Sequence, residues 1–174
     1  MTIVKKAKRN KVEIPTTADS TGKTKPLKET TETRYHKKFT YYTNDAIIGR
    51  SLRMYGEYGQ SEIDFLLDVL NNITNKPKVI YDVGANIGVH ATAFASAKGS
   101  HVHCFEPNPL NYNMLKLNTK GLDNVTLHKA AATNVAGDIL IQTFDPEVPG
   151  NYGEVLINKE SGVSAKAVRL DDVD

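Results

Sequence analysis

Residues 78–88 read Lys-Val-Ile-Tyr-Asp-Val-Gly-Ala-Asn-Ile-Gly, and every other segment is placed by reference to them. Val79, Ile80 and Tyr81 are β-branched or aromatic and predict a strand. Asp82 stands at its end, Gly84 and Gly88 follow, and the alanine-rich run His90–Lys98 predicts a helix. Strand, glycine turn and helix together bring a backbone close to a nucleotide. The new helix start adds partial positive charge from free amides.

Working outward, His101–Phe105 predicts a second strand, Pro109–Asn118 a helix and Val125–Ala130 a third strand. Pro109 suits the first helical turn. This βαβαβ order implies a parallel sheet with flanking helices, a Rossmann-like α/β fold. Upstream, Asn44 is the expected cap of a helix over Asp45–Met54 that Gly56 ends. Ser61 is the expected cap of a second helix, Glu62–Leu70, whose Ile63, Leu66, Leu67 and Leu70 share one face. Both helices are expected against one side of the sheet. Downstream, Asp138–Thr143 and Ser164–Leu170 alternate and predict an antiparallel hairpin, with Glu154–Ile157 a further short strand.

Charge divides the chain. Residues 1–38 hold eleven Lys/Arg against four Asp/Glu, while residues 39–174 hold eleven against sixteen. The first 38 residues carry few large apolar side chains and read as a disordered basic tail. Residues 39–174 read as one folded, acidic domain, which disfavours a nucleic-acid groove on it. Cys104 is the only cysteine, so no internal disulfide forms. No apolar run reaches the length of a membrane helix, and the start lacks a secretory pattern. A cytoplasmic location is the expectation.

Glu106 ends strand two, 22 positions after Gly84. A carboxylate there can accept both hydrogen bonds of a ribose diol, so the two signals point to an adenosine-containing ligand. Asp82 directly before the glycine turn repels a pyrophosphate and welcomes a cation. S-adenosylmethionine carries a sulfonium and an ammonium, so it is favoured over NAD. His90 reads as a helix-face residue pointing away from the strand ends. His101 and His103 share one strand face with Cys104 opposite. No further ligands converge in sequence, and no metal is expected. His36 and His128 suggest no partner.

Asn44-Asp45-Ala46-Ile47-Ile48-Gly49, Tyr55-Gly56-Glu57, Glu62, Asp82-Val83-Gly84-Ala85-Asn86-Ile87-Gly88 and Phe105-Glu106-Pro107-Asn108-Pro109 together resemble the FkbM family of S-adenosylmethionine-dependent methyltransferases. The resemblance runs from Asn44 to about Asp172. It implies the class I methyltransferase fold and O-methylation of a small hydroxylated acceptor, of sugar or natural-product type. It further implies that Gly84, Ala85, Asn86 and Gly88 line the methionine part of the cofactor. Asp82 would hold its ammonium, and Glu106 its ribose, with Pro107 and Asn108 beside the adenosine. Glu57 is placed at the methionine end, and Ala130 and Ala131 border the adenine. The family continues past a segment like Val168–Asp172 into a fourth strand ending in an acidic Lys-Ile-Asp-Val-Glu-Gly type motif, which does not follow here. The sheet is therefore expected to be incomplete at its C-terminal end, with strand one as an exposed edge. That edge would suit a complementing chain or a second copy. The alternative to an enzyme is a non-catalytic or split-enzyme fragment that binds the cofactor or needs a partner chain.

Overall fold

A computed structural model describes residues 26–74, 76–158 and 160–173. The first strands, β1 (Lys28–Thr31) and β2 (Phe39–Tyr42), pair antiparallel with Lys28 opposite Tyr42 and Thr31 opposite Phe39. Lys28–Thr31 falls in the segment expected to be tail, so folded structure begins before Lys38; residues 1–25 lie outside the described residues. The segment was mistaken because β1 is polar. It is ordered by pairing with β2, whose Phe39, Tyr41 and Tyr42 are all buried.

Helix α1 (Ile48–Tyr55) packs on β2, and α2 (Gln60–Asn72) packs on α3 (Val89–Ala95). The two helices expected on one side of the sheet thus serve different neighbours. Asn44 does not cap α1. Its amide donates to the carbonyls of Pro146 and Glu147, and the buried Asp45 carboxylate accepts from Ile47 N and Gly49 N instead. Gly56 ends α1 in the left-handed region at φ 69°, as expected. Ser61 lies inside α2, whose start is set by Gly59.

The central sheet joins β3 (Lys78–Val83), β4 (Ser100–Phe105) and β5 (Val125–His128) in parallel, in the order β3-β4-β5. Helix α4 (Pro109–Asn118) follows β4, capped by Asn108, whose Oδ1 accepts from Leu110 N and Asn111 N. The expected third strand is divided. After β5 the chain passes through Lys129 into β6 (Ala130–Ala132), which belongs to a second sheet with β8 (Val163–Val168) and β7 (Gly137–Ile141) in the order β6-β8-β7. The β7–β8 hairpin is antiparallel, as alternation predicted, with Ile139 opposite Ala165. Glu154–Ile157 contributes only an isolated bridge, Ile157 to Ile141.

Two apolar clusters hold these layers. Ala85, Ala91, Phe94, Val102, Cys104 and Leu115 form one beneath the central sheet, with Leu66, Leu67 and Leu70 of α2 against it. Phe39, Tyr41, Tyr42, Ile48, Leu52, Ile87, Met114 and Tyr152 form the other, between the β1–β2 hairpin, α1 and α4. Ile87 and Ala85 come from the glycine turn, so that turn is pinned from both clusters. Strand β3 is an edge. Val79, Tyr81 and Val83 on its open face are 56%, 42% and 52% exposed. No helix of the described residues is long and apolar enough to cross a membrane.

Candidate functional site

Strands β3 and β4 end side by side, with Asp82 opposite Cys104 and Val83 opposite Phe105. Beyond β3 the chain turns through Gly84 (φ 79°), Asn86 (φ 49°) and Gly88 (φ 95°). A left-handed asparagine is uncommon and marks local strain held by its surroundings. Gly88 is left-handed, which disfavours any side chain, and a Cβ there would also stand 2.9 Å from Leu115 Cδ1 and force that buried leucine to shift. The backbone amides of the turn are already bonded. Gly84 N and Ala85 N donate to Phe105 O at 2.9 and 3.0 Å, and Gly88 N donates to Ala85 O. Asn86 N donates to Glu106 Oε2 at 2.9 Å. The expected row of free amides near the helix start is therefore absent at these four residues.

Glu106 is buried, and its second oxygen accepts from Asn108 N at 2.8 Å. One carboxylate thus ties the glycine turn after β3 to the turn after β4. Each oxygen keeps one lone pair free for a further donor. Asp82 Oδ2 and Asn86 Oδ1 are buried acceptors with no hydrogen-bond partner among the described residues. Burial pushes the Glu106 carboxyl up to about 7, against its two amide bonds and helped by the Asp82 charge. Burial pushes Asp82 up to about 6, with His90 pulling the other way.

Both carboxyls hold their protons more tightly in the folded protein than in the unfolded chain, where such groups titrate near pH 4. Their stabilising contribution is complete in acid and is lost as pH rises through 6 to 7. Urea unfolding is expected to show the protein about 2–4 kcal/mol less stable at pH 8 than at pH 5, at ~1.4 kcal/mol per unit. Glu106→Gln should flatten much of that slope. Equal stability at both pH values would mean that these carboxyls are not buried together.

A cleft of about 450 Å³ opens beside the turn. Gly84, Ala85, Asn86 and Ile87 form one wall, with Val89 and His90 from α3. Ile47, Ile48 and Tyr58 form another, and Asn151, Gly153 and Glu154 close the third. Of the expected residues, Gly84, Ala85 and Asn86 face it, whereas Gly88 packs beneath α4. Glu57 is exposed and offers its carbonyl to Ser51 Oγ; Tyr58, the next residue, lines the cleft in its place. Asn108 is fully buried as the cap of α4. Pro107 borders a separate depression of about 280 Å³ with Pro109, Lys129 and Lys166. Ala131 does not end the third strand but pairs with Ala167 inside the second sheet.

Sequence reading missed His90, Tyr58 and Glu154. His90 was expected to point away from the strand ends, yet it lines the cleft. Asn151–Glu154 belong to a strap held by Ala46 N to Gly150 O and Gly150 N to Asn44 O, with Asn111 Nδ2 on Tyr152 O. The legible signal was Tyr152, a large aromatic isolated in a polar, glycine-bearing loop. It is buried and stacks on Phe144 at 4.0 Å.

Comparison with protein-family models and with curated proteins gives no match for this chain. On one face of the central sheet, Tyr81, His103, His128 and the buried Phe105 stack, and His101 lies tilted against His103 at 53°. His103 Nδ1 stands 3.1 Å from His128 Nε2. Burial holds both rings below the usual imidazole range, and their nearest imidazole neighbours add to this. Among the described residues no group of three or more His, Cys, Asp or Glu is arranged to hold a metal ion.

Proposed function

We propose that this chain binds S-adenosylmethionine at the joined ends of β3 and β4 and serves methyl transfer to a small hydroxylated acceptor, as FkbM-type class I methyltransferases do. The observation that carries the reading is the pair of buried, unpartnered acceptors, Asp82 Oδ2 and Asn86 Oδ1, beside a cleft of nucleoside size. Buried acceptors without donors are costly. Asn86 lines the cleft and Asp82 ends the strand behind it, and an ammonium entering there would bring three N–H groups to acceptors that lack a donor. The second carboxylate, Glu106, adds negative charge behind them.

When bound, the cofactor would supply an electrophilic methyl group. The protein's part is positioning. Asp82 and Asn86 would hold the amino-acid end, and Glu106 would fix the two turns while offering its free lone pairs to a ribose hydroxyl. Tyr58, Ile47 and Ile48 would exclude water from one side and the 151–154 strap from the other. Alignment of acceptor and methyl group is the main requirement of such a displacement.

Calorimetric titration with S-adenosylhomocysteine, with NAD as control, tests the reading. Asp82→Asn is the cleaner variant, because Glu106→Ala would also release both turns. Asp82→Asn should weaken binding by about ten- to a hundredfold, the range for a hydrogen bond to a charged group. No binding by a folded chain, or preference for NAD, would sink the proposal.

A second reading is favoured by β3. Its open edge and three exposed apolar residues, with a depression of about 710 Å³ between Val83, Ala132–Asn134 and Arg169–Asp171, leave room for a further strand. On that reading the chain binds cofactor but needs a complementing chain, or a second copy, for activity.

A further inference from the structure

Helices α2, α3 and α4 pack on the face of the central sheet that carries Ile80, Val102, Cys104 and Leu127. Strand alternation therefore sends His101 and His103 of β4 to the opposite face. The parallel register sets His128 of β5 opposite Phe105, one step diagonal from His103. Sequence reading found no partner for His128, because only that register supplies one. His103 Nδ1 and His128 Nε2 stand 3.1 Å apart. Stacking orients both rings, with Tyr81 on His103 at 5.4 Å between centroids and Phe105 on His128 at 4.4 Å. His101 is held aside, since its Nε2 lies 2.8 Å from Thr126 Oγ1. His103 and His128 are half-buried, which leaves them open to a small ion.

Two neutral imidazoles this close share one proton, one nitrogen donating and the other accepting. The same spacing suits a metal ion. Two nitrogens bonded tetrahedrally to one ion at about 2.0–2.1 Å stand roughly 3.3 Å apart. Burial and a neighbouring imidazole hold both rings below the usual range, so both are neutral near pH 7.5 and keep lone pairs for a cation.

We propose that His103 and His128 form a two-imidazole site for a borderline divalent transition-metal ion such as zinc, with water in the ion's remaining positions. The ion takes the place of the proton between His103 Nδ1 and His128 Nε2. That proton passes through solvent to the outer nitrogen of the ring that carried it, so each ring keeps one proton and none is released. Imidazole nitrogen selects such ions over magnesium, which takes oxygen ligands. The site is separate from the cleft beside the glycine turn and independent of what binds there.

Calorimetric titration of the full chain with zinc chloride at pH 7.5 tests this. Zinc should bind saturably and magnesium should not. His103→Asn and His128→Asn should each weaken zinc binding by about tenfold or more, at least what loss of an outer-shell partner costs a metal site. His90→Asn, in the cleft, should bind zinc as wild type does. Circular dichroism checks that each variant is folded. Long-range proton–nitrogen NMR of the wild-type imidazoles reads the same pair without any substitution. Zinc should shift His103 Nδ1 and His128 Nε2 and leave the outer nitrogen of each ring protonated. No saturable zinc binding, binding that both folded variants retain in full, or shifts confined to His36, His90 or His101 would each overturn the proposal.

Discussion

Replacing Asn118 by alanine is expected to cost about 3–6 kcal/mol, a large share of the ~5–15 kcal/mol that holds a domain of this size. Asn118 closes α4 and is fully buried. Its Oδ1 accepts from Thr40 N at 2.8 Å, and its Nδ2 donates to Thr40 O at 2.9 Å and Ile87 O at 2.8 Å. One side chain therefore completes the backbone pairing of β2 and fixes the glycine turn. Truncation leaves three buried backbone groups without partners, each at about 1–3 kcal/mol. Urea unfolding monitored by circular dichroism measures this. A loss below about 1 kcal/mol would mean that water replaces the amide and that the site is wetter than described. Because Ile87 sits in the turn, the variant should also weaken ligand binding at temperatures where it stays folded.

The second large effect is expected at Gly49. This glycine has an ordinary helical backbone, so conformational freedom is not the reason for it. A Cβ there would run into the carbonyl oxygen of Tyr42 and stand 2.9 Å from the Asp45 Cβ. Neither can swing aside, since the first is backbone and the second is held by the Asp45 capping bonds. Gly49→Ala must push α1 away from β2, at about 3 kcal/mol or more for a core that cannot relax. Ile47 and Ile48, which line the cleft, would move with it. A melting temperature within a degree or two of wild type would show that the helix is not seated so tightly. A Gly121→Ala control separates clash from conformation, because Gly121 is left-handed at φ 90° and a Cβ there would meet nothing within 4 Å, so its cost comes from the backbone.

The parts of the fold that were legible are those whose signal is local. The β3-turn-α3 unit, β4, α4 and the β7–β8 hairpin follow from alternation, helical spacing, Pro109 and the glycines. The β1–β2 hairpin was missed because β1 has no apolar face of its own and is ordered by a partner eleven positions on. Strand three was read through Ala130 because nothing in Val125–Ala130 announces that the chain changes sheets at Lys129. At the site, Asp82, Glu106 and Gly84–Asn86 stood out as acids and glycines at strand ends. Tyr58, His90 and Glu154 did not, because they come from three separate segments that only packing brings to one cleft.

Sequence alone determined that acids end two neighbouring parallel strands, since strand propensity and period are written within a few residues of each. Only the tertiary structure decided what those acids do. Glu106 is turned inward onto Asn86 N and Asn108 N, and Asp82 is left with a buried oxygen that no donor among the described residues reaches. The reason is physical. Burial, hydrogen-bond partners and local charge depend on atoms contributed from distant parts of the chain, and no local pattern records where those atoms will lie.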